Sequence, residues 1–164
     1  LCPLFNCELY FTTSHSVMAY VLGVHGDSSM IPWSHVSIGE CPVQSWMTEN
    51  RGSYSGHWRD SLLEEVHRRA SLEVQGKGST EFGIASSVCE MIRAFFHNEH
   101  KLLPCSVFLK GLYGIREGFA SMPVQLGSEG IEKVIELKMT GEEEHQIVRS
   151  IGILHEYFER GMLL

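Results

Sequence analysis

Apolar and polar positions alternate in three distinct rhythms along the chain, and each rhythm predicts a different kind of element. Residues 17–24 form a nearly continuous apolar run, Val17-Met18-Ala19-Tyr20-Val21-Leu22-Gly23-Val24, which reads as a buried strand. From Trp58 to about Gly76, Leu62, Val66 and Ala70 recur at helical spacing with charges between them. A second helix is expected from about Thr80 to His97, with Ile84, Val88, Met91 and Phe95 on one stripe. Met91, Phe95 and Phe96 read as core. The period then shortens. Val107-Phe108-Leu109 reads as a strand, Gly111 and Gly114 mark a turn, and 118–126 pairs with 131–139 around Gly127-Ser128-Glu129-Gly130. Thr140-Gly141-Glu142-Glu143 matches a capping box and opens a last helix whose face is Ile147, Ile151, Leu154 and Phe158. Segment 39–57, rich in Gly, Ser, Pro and Asn, reads as a loop-dominated connection with room for one short helix. Strands segregated from long helices indicate an α+β fold of antiparallel strands packed with helices.

Length adds one bound. A chain of 164 residues suits a single domain with a real core. Its formal charge of −7 and scattered basic residues argue against a nucleic-acid partner. Five cysteines, Cys2, Cys7, Cys41, Cys89 and Cys105, include no CxxC pair and fit a reducing, cytoplasmic setting. No apolar run approaches the roughly 18 residues of a membrane span, so no membrane partner is expected. Leu1 to Phe11 lacks the basic start of a signal peptide. The chain opens on Leu1 rather than Met and reads as a fragment.

Candidate chemistry concentrates in Gly23-Val24-His25-Gly26-Asp27-Ser28-Ser29-Met30-Ile31-Pro32-Trp33. Here an apolar strand delivers an imidazole into a glycine-flanked turn, where backbone or substrate can approach closely. Histidine titrates near neutrality, so such a group suits proton transfer. The bland alternative is a histidine that merely caps a turn. His97, His100, His145 and His155 read as solvated groups on helix surfaces. A zinc site from Cys2, Cys7, His15 and His25 has spacing unlike known sites, and no metal is expected.

This segment resembles the catalytic histidine loop of the L-lactate dehydrogenases, within the lactate/malate dehydrogenase superfamily. Further motifs follow in family order. Gln75-Gly76-Lys77-Gly78-Ser79-Thr80, with Glu81-Phe82-Gly83-Ile84-Ala85, resembles the Lys-Gly-x-Thr segment opening the helix beside the substrate. Leu103-Pro104-Cys105-Ser106-Val107 and Gly111-Leu112-Tyr113-Gly114-Ile115 resemble the strands after it, and Met122-Pro123-Val124 with 130–137 the late hairpin. Trp33 and Thr80 resemble the lactate rather than the malate branch. The resemblance covers Ser14 to Gly161. It implies a C-terminal, substrate-binding domain over 14–164, with 1–13 an unmatched segment.

The resemblance also implies roles. His25 is the expected acid/base, Thr80 lines the pocket of a 2-oxo or 2-hydroxy acid, and Ile84 packs against the nicotinamide of NAD in the full-length protein. The hydroxyl of Thr80 can equally cap its helix, and Ile84 can simply be core. A full-length homo-oligomer is implied. Two family signatures are missing: an Asp-x-x-Arg upstream of the histidine and a GxGxxG after a strand. Asp27 occupies a different family position from the orienting aspartate. Met18 stands where allosteric members carry a histidine, so sugar-bisphosphate activation is not expected. The chain alone is therefore expected to be inactive. The alternatives are a non-catalytic domain acting only in subunit association, or a related 2-hydroxy-acid or malate dehydrogenase.

Overall fold

A computed structural model describes residues 16–26, 28–51 and 57–161. The chain divides into two compact units, residues 1–19 with 33–87 and residues 20–32 with 88–164.

In the first unit, three two-residue strands form a small antiparallel sheet: β1 (Val17–Met18), β2 (Ser37–Ile38) and β3 (Cys41–Pro42). Val17 faces Ile38, and Ile38 in turn faces Cys41. The tight turn between β2 and β3 uses Gly39, whose φ of +61° favours a residue without Cβ. Helix α1 (Val43–Arg51) follows directly, within the stretch expected to be mostly loop. Val17, Val36, Ile38, Val43 and Met47 are buried in this unit. Helix α2 (Trp58–Lys77) matches the expected helix, and Leu62 is half-buried. The side chains of Val66 and Ala70, expected on the same face, lie outside the described residues. Gly78 ends α2 in a left-handed conformation and donates its N–H to the carbonyl of Val74 at 2.8 Å. The Trp33 and Trp58 rings meet edge to face, 5.0 Å between centroids.

Helix α3 (Glu81–Phe96) begins in the first unit and ends in the second. Its boundaries agree with the expected 80–97, but its stripe is not core. Ile84, Val88, Met91, Phe95 and Phe96 are all exposed, and only Ala94 is buried. Helical periodicity identifies an apolar face without specifying what covers it.

The second unit is built on the antiparallel sheet β4 (Lys101–Leu109), β5 (Gly118–Gly127) and β6 (Gly130–Val134). β4 and β5 pair from Lys101↔Leu126 to Leu109↔Gly118 without a break. β5 and β6 are joined through Gly127↔Gly130, with an irregularity between Gln125 and Leu126. β6 ends at Val134, earlier than the expected 139. Period-2 alternation decides the faces. Leu103, Cys105, Val107 and Leu109 of β4, with Ala120, Met122, Val124 and Leu126 of β5, turn inward. Phe108 and Phe119, paired in register on the opposite face, are exposed with their centroids 5.3 Å apart.

Helix α4 (Gly141–Gly161) begins with the expected capping box. The Thr140 N–H donates to Glu143 Oε2 at 2.9 Å, and the Glu143 N–H donates to Thr140 Oγ1 at 3.4 Å. Ile147 and Ile151 are buried in the cluster containing Met122, Val124 and Leu22. Leu154 is half-buried. Phe158, expected on the same face, is exposed, so the buried stripe fades toward the C-terminal end.

Candidate functional site

The histidine loop belongs to the second unit. Instead of one strand over 17–24, the chain pairs briefly at β1 and then again only at Leu22 and Gly23. Leu22 and Met30 exchange both backbone hydrogen bonds, N–H to carbonyl, at 2.8 and 3.0 Å, closing a loop around His25. Gly23 and Ser121 of β5 do the same at 3.2 and 2.7 Å. The Val24 N–H donates to Ser150 Oγ of α4 at 2.8 Å. Within the loop, the Ser29 N–H donates to the carbonyl of Gly26 at 3.0 Å.

Leu22 and Met30, at the base, are buried in the main core, whereas His25 is exposed. Gly23 and Gly26 have φ of +87° and +123°, conformations that favour glycine. The result is an accessible imidazole on a backbone pinned at both flanks. Such a group can exchange protons with a bound molecule. Just before the loop, Tyr20 has its phenol held above the usual range by burial. Asp27 lies outside the described residues.

Thr80 and Ile84 belong to the first unit, at the opening of α3. Thr80 precedes the helix and is half-buried; its carbonyl accepts the Ile84 N–H at 3.2 Å, the position expected of an N-cap residue. The Ser79 hydroxyl donates to the Glu81 carboxylate in the same turn. Ile84 is 60% exposed and therefore not core.

Among the described residues, no three His, Cys, Asp or Glu side chains are grouped to hold a metal, and no helix is long and apolar enough to cross a membrane. Cys2, Cys7 and His15 lie outside that set. Of the surface histidines, His100 pairs with Glu132 at 2.6 Å and has φ of +47°, before β4 rather than on a helix. His155 approaches Glu159 at 3.5 Å on α4.

Sequence reasoning missed Ser28, Ser121 and Ser150 as supports of the loop. One signal was present: Ser150 interrupts the buried apolar stripe of α4 between Ile147 and Ile151. A hydroxyl in such a position needs a partner.

The family model for the lactate/malate dehydrogenase alpha/beta C-terminal domain matches residues 7–163. The chain belongs to that family. The match begins inside the segment 1–13. An L-lactate dehydrogenase of Bacillus pumilus (strain SAFR-032) is 34% identical over 149 residues, covering 91% of this chain and 47% of that protein. One from Fusobacterium nucleatum is 32% identical over 148 residues, covering 90% and 46%. A lactate dehydrogenase from a Medee basin deep-sea metagenome library, MGS-M5, superposes with a TM-score of 0.86 at 26% identity, over 95% of this chain and 50% of that one. This lactate/malate dehydrogenase domain thus spans about half the length of the relatives it matches.

Proposed function

We propose that this chain is the substrate-binding domain of an NAD-dependent L-lactate dehydrogenase, and that the polypeptide containing it interconverts pyruvate and L-lactate. The observation that carries this reading is the exposed imidazole of His25 on its pinned loop, in a chain related to proteins named L-lactate dehydrogenase. His25 gives a proton to the carbonyl oxygen of the 2-oxo acid as the adjacent carbon gains a hydride. In reverse it takes the hydroxyl proton back. Thr80 lines the pocket for the organic acid. Ile84, 60% exposed, offers an apolar surface suited to a flat aromatic coenzyme face. The nicotinamide coenzyme, when bound, supplies or accepts the hydride.

The test compares pyruvate-dependent NADH oxidation by the chain, expressed with its upstream coding sequence, with that of a His25→Gln variant. Loss of a general acid is expected to lower the rate about 10²- to 10⁴-fold. A variant as active as the parent would overturn the reading. Running the same assay with a panel of 2-oxo acids separates a lactate enzyme from a malate or bulkier 2-hydroxy-acid enzyme.

A second reading is favoured by the exposed apolar stripe of α3, which includes Ile84, Val88, Met91 and Phe95. On this reading the chain acts only in subunit association. Concentration-dependent sedimentation together with no pyruvate-dependent turnover supports it.

A further inference from the structure

We propose that Ser150 is the positioning residue of the His25 loop, fixing from helix α4 the backbone that carries the imidazole. The proposal rests on the catalytic reading of His25, because a loop with no chemistry has no geometry to protect.

Three consecutive residues before His25 each commit their backbone N–H to a different partner. Leu22 donates to Met30 across the loop, Gly23 to Ser121 of β5, and Val24 to Ser150 of α4. The first two bonds join backbone to backbone, and many sequences could supply them. The third depends on one side chain, and it acts on the residue adjacent to His25.

Ser150 is suited to that task in three respects. It is only 2% exposed, so water does not compete readily for its hydroxyl. Its own proton is committed, since Ser150 Oγ donates to Ser28 Oγ at 3.2 Å, which turns an oxygen lone pair toward the Val24 N–H at 2.8 Å. Ser28 lies on the far side of His25, so the same hydroxyl holds both flanks of the loop. Gly23 supplies the space: a Cβ there would stand 2.7 Å from Ser150 Oγ and 3.2 Å from its Cβ. The glycine before the histidine and the serine on the distant helix therefore form one steric and hydrogen-bonding device.

The catalytic value of such a device is precision. A proton-transfer group displaced by even about 1 Å loses much of its rate advantage.

The experiment measures amide hydrogen exchange and the His25 imidazole carbon–proton NMR signal in the 164-residue chain, in Ser150→Ala and in Ser28→Ala. In Ser150→Ala, the Val24 amide is expected to exchange about tenfold faster or more. The His25 signal should shift or broaden, while amides paired between β4 and β5 keep their protection. Ser28→Ala leaves the helix side chain in place and frees only its rotor. It should produce a smaller change at the same two positions, and it decides the matter alone if Ser150→Ala does not fold. Unchanged Val24 exchange in either folded variant would overturn the proposal. So would acceleration shared equally by Val24 and the β4–β5 amides, which would make Ser150 merely structural. The catalytic reading fails separately, on the turnover of His25→Gln, which leaves the Val24–Ser150 bond intact.

Discussion

Replacing Tyr113 with phenylalanine removes one oxygen atom, and the structure permits the cost to be worked out. Tyr113 lies in the short 3₁₀ turn Leu112–Gly114 between β4 and β5. Its hydroxyl donates to the carbonyl of Leu137 at 3.1 Å and accepts the Leu137 N–H at 2.9 Å. One phenol thus satisfies both backbone groups of a residue 24 positions away, in the segment between β6 and α4. Phenylalanine keeps the ring and the unusual φ of +53°, so backbone strain is common to both forms and cancels. Two lost hydrogen bonds are worth up to about 3 kcal/mol. Tyr113 and Leu137 are only half-buried, however, so water recovers part of that, and we expect about 1–2 kcal/mol. Native-state hydrogen exchange of globally protected β5 amides reports on the second unit directly. They should exchange about 5- to 30-fold faster in Tyr113→Phe. A change below about twofold would refute the reasoning, since it would mean that Leu137 is satisfied equally well by water.

Two further predictions concern the second unit. Burial holds Cys105, Tyr20 and Tyr113 above their ordinary values of 9.0, 10.0 and 10.0, with Glu136 and Glu144 adding to the rise at Tyr113 and its Leu137 hydrogen bond opposing it. In each case the folded state holds the proton more tightly than the unfolded state. That stabilisation is complete below the unfolded pKa and is lost as pH rises through the folded one. Thermal denaturation at pH 10 should therefore give a lower Tm than at pH 7; an equal or higher value would contradict the burial. Thr140→Ala removes the hydroxyl of the α4 capping box and should cost about 0.5–2 kcal/mol in urea denaturation, with no loss expected if the helix start is instead held by packing alone.

The elements most legible in the sequence are those whose signal is local. The α2 and α3 boundaries, the Gly127–Gly130 hairpin and the Thr140–Glu143 cap follow from spacing, turn glycines and capping chemistry within a few residues. The stretch 17–24 failed as one strand because its pairing is decided elsewhere: Leu22 and Gly23 find partners at Met30 and Ser121, and Gly23 adopts a positive φ. The apolar residues of α3 were legible as a stripe, but their exposure was not, because periodicity records a face and not its cover. At the candidate site the glycine-flanked histidine was visible. Its supports were not, since Ser150 touches the loop across 126 residues of chain.

That separation has a consequence for the order of folding. The β4–β5–β6 meander and the capped start of α4 form from neighbouring stretches of chain and need little loop closure. The histidine loop must instead be recruited from far upstream in the sequence, and closing so long a segment costs entropy before its few hydrogen bonds repay it. The scaffold is thus able to assemble first, with the reactive loop docking onto a finished sheet and helix. If the loop docks in this order, changes in it should act mainly on the rate of unfolding and leave the rate of folding nearly unchanged.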